Sequence, residues 1–128
     1  MANFGKPDAK GRSSGKYGGR QGELNRPPKD KSWTWLTKEL LESDAWRMRT
    51  RNCVRFIDAL LIDHMAHAGQ ENGNLQFTYD QLTRYGIPRS KIREAIDEAI
   101  FLGLLECTVQ GGRYGLTNKP SRYLLTFY

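Results

Sequence analysis

A mainly α fold with a small β-hairpin (α+β) follows from three features of this sequence. Apolar residues recur at three- and four-residue steps in two stretches, residues 53–68 and residues 92–100. Glycines stand where both stretches should stop, at Gly69 and Gly103. Beyond Gly103 the period changes to two, as a half-buried strand requires. The first 32 residues show none of these patterns.

That first segment carries most of the charge. The chain has 128 residues and a formal net charge of +6. Residues 1–32 hold Lys6, Lys10, Arg12, Lys16, Arg20, Arg26, Lys29 and Lys31 against Asp8, Glu23 and Asp30. The remainder is nearly neutral. Phe4, Tyr17 and Leu24 are isolated among Gly, Ser, Pro and basic residues, too few to offset the entropy of ordering. The expectation is a disordered basic arm over residues 1–32 and one folded domain over residues 33–128. Such an arm suits nucleic acid or another anionic surface, and it can equally be a solubilising leader. Its GRSSGKY run lacks the spacing and the Lys-Ser/Thr ending of a phosphate-binding loop.

Trp33 and Trp35 open the folded part and read as lids over its core. Thr37 can cap a short helix through Leu41, followed by a turn over residues 44–48 that includes Trp46. Thr50 can then cap a long helix ending near Ala68 and Gly69. Its apolar face is Cys53, Phe56, Ile57, Leu60, Leu61, His64 and Ala68, and it should be the spine of the domain. Arg47, Arg49, Arg51 and Arg55 gather at its start, either as a solvated face or as a grip on phosphate. His64 and His67 stand three apart, but Asp63 should point elsewhere, so a metal site is not expected.

GQENGN is a loop, and residues 75–77 can supply a short strand. Thr78 and Gln81 then form a capping box, with Phe77 and Leu82 in the two positions of a hydrophobic staple. Gly86 can take the left-handed conformation that ends this helix, and Ile87 plugs the turn. Pro88 suits a first helical position, so a second helix is expected over residues 88–102 with Gly103 as its end cap. Its stripe is Ile92, Ala95, Ile96, Ala99 and Ile100, which leaves Arg89, Ser90, Lys91 and Arg93 mostly off the core. Leu105, Cys107 and Val109 form the inward side of a strand, and residues 123–128 a last one with Tyr123, Leu125 and Phe127 on one side. Cys53 and Cys107 fall in core positions without metal spacing, so buried free thiols are expected. The connection GGRYGLTNKPSR is too long for a tight hairpin.

The stretch LTRYGIPRSKIREAI, followed by GLLECTV, a glycine-basic loop and YLLTF, resembles the winged helix-turn-helix family, in particular its small bacterial and mobile-element members. The resemblance runs from about Trp35 onward. It implies that the helix from Pro88 enters the major groove of double-stranded DNA with Arg89, Ser90, Lys91 and Arg93, Arg89 or Arg93 pairing with guanine. Thr78 and Tyr79 join this DNA-facing set. The loop over residues 110–122 is then the wing, with Arg113, Tyr114, Lys119 and Arg122 on phosphates or in the minor groove. Arg47, Arg49, Arg51, Arg20, Arg26 and Lys31 are further candidates for phosphate. Asp97 and Glu98 should repel phosphate and confine contact to the first two turns.

The expected role is a sequence-specific DNA-binding protein, a transcriptional regulator or a replication or mobile-element control protein. The alternative is a protein-interaction module with an unspecific basic tail, in which exposed apolar residues such as Trp33 or Tyr128 would matter. Single-strand or RNA binding usually interleaves aromatic and basic residues, and only Tyr17 and Tyr114 stand so. No catalytic constellation, cofactor motif or membrane span is legible, so a non-enzymatic, cytoplasmic, nucleoid-associated protein is expected. Homodimerisation on DNA and a protein partner are left open.

Overall fold

A computed structural model describes residues 26–114 and 117–128; the side chains of residues 113–119 lie outside it. The expectation of a disordered arm therefore falls largely outside the described residues. Residues Trp33–Tyr128 form one unit. It is mainly helical with small two-stranded antiparallel ladders, an α+β arrangement.

Two short helices come first, α1 (Lys38–Glu42) and α2 (Asp44–Arg47). Each starts on a hydroxyl that accepts an amide hydrogen: Thr37 from Leu40 at 3.1 Å, Ser43 from Trp46 at 3.3 Å. Helix α3 (Arg51–Ala66) is the spine, and it buries Cys53, Phe56, Ile57, Ala59, Leu60, Leu61 and His64. Ala68 lies beyond its end, exposed and at a φ of 52°, so it does not extend the apolar face. Thr50 occupies the N-cap position but does not cap. Its hydroxyl and its backbone N–H both donate to Glu98, at 2.8 and 2.9 Å.

Helix α4 (Tyr79–Arg84) carries the capping box in full, with Gln81 N–H donating to Thr78 and Thr78 N–H to the Gln81 side chain. Gly86 follows at a φ of 108°, a conformation that costs a side-chain-bearing residue dearly. A methyl group there would also meet the Arg55 guanidinium at 2.8 Å, because Arg55 donates to the Gly86 carbonyl. Ile87 is fully buried under this turn. Pro88 then departs from expectation. Its ψ of 137° is extended, so it precedes the helix rather than opening it. Arg89–Lys91 make one 3-10 turn, and α5 spans Ile92–Phe101. Ile92, Ala95, Ile96 and Ala99 are buried against α3, whereas Ile100 is 41 % exposed and leaves the stripe.

Strand β1 (Leu105–Val109) pairs antiparallel with β4 (Arg122–Leu125), with an irregularity between Cys107 and Val109. A second ladder, β2 (Gly112–Tyr114) with β3 (Thr117–Lys119), lies inside the long connection between β1 and β4, the segment expected to be the wing. Leu75 makes an antiparallel bridge to Tyr123, the whole of the short strand expected there. The Asn72 side chain closes the loop on β4 by accepting from and donating to the Leu125 backbone.

Two expectations about burial fail in β1. Only Leu105 is buried; Cys107 is exposed and Val109 is 47 % exposed. The alternation from Leu105 to Val109 is therefore not matched by alternating burial. Phe127 lies past the end of β4, half-buried, with its ring against Trp46 at 5.6 Å. Trp33 and Trp35 are more than half exposed and are not core lids; Trp46 is the tryptophan that packs on the core.

Candidate nucleic-acid interface

Two basic surfaces lie next to each other, one at the start of α5 and one at the start of α3. At α5 the chain runs exposed from Pro88 to Lys91, because only Ile87 and Ile92 on either side are held by the core. Arg89, Ser90, Lys91 and Arg93 are therefore on the surface, as the off-stripe spacing requires. Three of the four carry an acidic neighbour. Arg89 donates from both terminal nitrogens to Asp80 Oδ1, at 2.8 and 3.2 Å. Lys91 lies 3.6 Å from Glu94, and Arg93 lies 3.3 Å from Asp97. All six side chains are more than half exposed, so each pair is worth well under about 1 kcal/mol and exchanges readily for another anion.

Asp80 is the member that sequence reading missed. It sits nine residues before Arg89, across the turn, and no helical spacing links them. Tyr79 lies beside the same guanidinium, its ring centroid 6.0 Å away. Thr78 is exposed, but its hydroxyl is engaged in the capping box. Phe77, Thr78, Tyr79 and Arg93 face Gln110, Gly111, Pro120 and Ser121 across an open groove of about 460 Å³. Arg122, at the base of the β1–β4 pair, is exposed and donates to Asn74 Oδ1 at 3.2 Å. The side chains of Arg113, Tyr114 and Lys119 lie outside the described residues, as does Arg20. Arg26 and Lys31 are exposed.

At α3 the four arginines separate into different roles. Arg47 and Arg51 are exposed, with no acidic partner among the described residues. Arg49 is not available for phosphate. Its guanidinium stacks 3.5 Å from the Trp46 ring centre, and its Nε donates to the Trp46 carbonyl at 2.7 Å. One terminal nitrogen is buried with no protein partner. Burial pulls the Arg49 pKa below its ordinary value. Arg55 is spent on the Gly86 carbonyl.

Glu98 corrects a second expectation. Instead of projecting as a repulsive charge, it binds inward at the start of α3. Burial alone would raise its pKa; the Thr50 amide, the Cys53 thiol, the Thr50 hydroxyl and nearby Arg49 outweigh that and hold it below the ordinary value. Cys53 is affected in the opposite sense, pushed up to about 12 chiefly by burial and by Glu98. It is an inert thiol, not a nucleophile. Asp97 is likewise not a bare negative charge, since Arg93 pairs with it.

The two histidines behave differently from each other. His64 is buried, stacks on Tyr128 at 4.4 Å, and has its pKa lowered by burial. Asp63 does not point elsewhere as expected. Its carboxylate lies 3.4 Å from His67 Nδ1, and its carbonyl oxygen is 2.9 Å from that nitrogen. Among the described residues no three His, Cys, Asp or Glu side chains are placed to hold a metal ion. Among the same residues no helix is long and apolar enough to cross a membrane. Compared with family models, curated proteins and solved structures, the chain matches none.

Proposed function

We propose that residues 33–128 form a winged helix-turn-helix domain that binds double-stranded DNA sequence-specifically, in a transcriptional regulator or a replication or mobile-element control protein of the cytoplasm. The observation that carries this reading is the exposed start of α5. Arg89, Ser90 and Lys91 project from the 3-10 turn, and Arg93 from the first turn of a helix whose opposite face is pinned to α3. A major groove admits an α-helix, and the guanidinium of Arg89 or Arg93 is the fork that guanine accepts. The exposed acid partners are exchangeable. The ladder beyond Gly103 would act as the wing, with Arg122 at its base.

The test is selection from random duplexes followed by binding anisotropy at several salt concentrations. Arg89→Ala with Arg93→Ala should abolish the selected motif and weaken cognate binding by about 100-fold, as expected when bidentate base contacts are lost. A chain starting at Lys31 should retain the motif and bind with a flatter salt dependence. Unselected duplexes and affinity that disappears with the arm would overturn the reading.

A second reading is supported by Phe101, which is 88 % exposed at the end of α5, and by Trp33. These would serve a protein-interaction module. Tyr128 does not belong with them, since its hydroxyl bonds Thr34 and the Trp35 carbonyl and its ring covers His64. Phe101→Ser abolishing function while leaving DNA affinity intact would favour this alternative.

A further inference from the structure

The far end of α3 borders a cavity of about 380 Å³. Trp33, Trp35 and Tyr128 give it aromatic walls, Thr34 a hydroxyl, and Ala68 and Gly69 a turn of backbone. His64, in the last turn of α3, completes the lining. At the helical rise it stands about 20 Å from Thr50, where the basic surface of α3 begins. The walls are tied to one another. Thr34 donates to the Tyr128 hydroxyl at 2.8 Å, and that hydroxyl donates to the Trp35 carbonyl at 3.1 Å. The Tyr128 ring stacks on His64 at 4.4 Å and meets Trp35 edge-on at 4.9 Å. Trp33 adds a ring that is mostly in solvent.

His64 is the group that the fold leaves unexplained. It is only 6 % exposed, yet neither ring nitrogen has a hydrogen-bond partner among the described residues. Buried polar groups are seldom left so, because the loss of water is not repaid. Nδ1 is sealed from solvent. The Nε2 edge lies beside Gly69, where a methyl group would stand 3.5 Å from Nε2 and 3.7 Å from Cε1. Burial lowers the His64 pKa against the opposing pull of Asp63, so the ring is neutral at pH 7. A neutral imidazole offers one N–H donor and one bare acceptor.

The lining fixes the class of ligand. No charged side chain is part of it, so an ion would lose its water without gaining a partner. Aromatic walls hold a flat ring by its faces and edges. The volume falls in the range of small-molecule pockets. We propose that this cavity binds a small neutral heteroaromatic molecule, its ring packed against Trp33, Trp35 and Tyr128 and a ring nitrogen hydrogen-bonded to His64 Nε2. A ligand with both an N–H and a bare nitrogen can meet either tautomer of His64. The site does not depend on what the α5 surface binds.

The test titrates the full chain at neutral pH with benzimidazole, and with indene, which has the same outline and no nitrogen. The ring-nitrogen resonances of His64 should shift saturably with benzimidazole, while those of the exposed His67 stay in place. Benzimidazole should bind about ten-fold more tightly than indene, the worth of one hydrogen bond to a buried partner. Trp33→Ala removes an exposed ring and should weaken both probes by about five-fold. His64→Phe keeps a ring against Tyr128 and should bring benzimidazole down to the level of indene, with indene unchanged. The resonance shifts need no variant, so they decide the outcome even if His64→Phe does not fold. Equal binding of the two probes would overturn the proposal. So would His64 signals that stay fixed up to the solubility limit of benzimidazole, or an affinity that Trp33→Ala leaves untouched.

Discussion

The starts of α3 and α5 each combine arginines with a carboxylate, yet the two use them oppositely. At α5 the charges meet on the surface: Arg89 with Asp80, Lys91 with Glu94, Arg93 with Asp97. At α3 the carboxylate is Glu98, reaching from α5 to bind an amide, a hydroxyl and a thiol, while Arg49 lies flat on Trp46. The difference is one of how many donors each carboxylate holds. Pairs in water are weak and exchangeable, so a ligand can replace one partner. A carboxylate withdrawn into several hydrogen bonds cannot be removed without leaving those donors unpaired. The first arrangement suits binding, and the second suits holding two helices together.

Glu98 should accordingly give the largest effect on stability. Glu98→Gln keeps the shape but loses the charge-assisted bonds, at a cost of about 2 kcal/mol. Since the folded-state pKa of Glu98 is depressed, its stabilisation is present above the ordinary glutamate value of 4.5 and is lost as pH falls through the lower folded value. Chemical denaturation between pH 7 and pH 3 should therefore show a shallower acid decline in the variant. An unchanged acid limb would place Glu98 with the exposed pairs instead.

Arg49 comes next. Arg49→Ala should cost about 1 kcal/mol through the lost stacking and the Trp46 carbonyl bond. Its thermal midpoint should fall while DNA affinity at a temperature where both proteins are folded stays the same. A loss of affinity with unchanged stability would return Arg49 to the phosphate-binding set, where residue type alone had put it.

The contrast also marks what the sequence makes legible. Local rules suffice for the Thr78–Gln81 box, the left-handed Gly86, the buried Ile87 and the stripe from Ile92 to Ala99, because each depends on neighbours within about one turn. Pro88 is a limiting case: its ring permits both a first helical position and the extended position before it, and the extended one is adopted. The exposure of Cys107 was not legible, since alternation identifies a face without saying what covers it. Neither was Thr50–Glu98, 48 residues apart, nor Asp80–Arg89 across a turn. Two of the surface pairs could have been read. Arg93 and Asp97 at four apart, and Lys91 and Glu94 at three apart, are ordinary helical neighbours. Treating Asp97 only as a charge facing phosphate overlooked the arginine beside it.

The surface acids should give the smallest effect on stability and an effect on binding of opposite sign. Asp80→Asn removes a partner that is 75 % exposed, so the folded state should change by less than about 0.5 kcal/mol. If the pair only competes with DNA, the variant should bind every duplex a few-fold more tightly, with the gain shrinking as salt screens the charge. If Asp80 also orients the Arg89 fork, cognate duplex should gain less than random duplex, and the ratio between them should fall. A bidentate contact demands a planar guanidinium in one orientation, and Asp80 together with the Tyr79 ring supplies two of the restraints that could set it. Measuring both duplexes at two salt concentrations separates the two cases. An unchanged affinity for both would show that Arg89 does not meet DNA at all, and the comparison between the two helix starts would then lose its functional half.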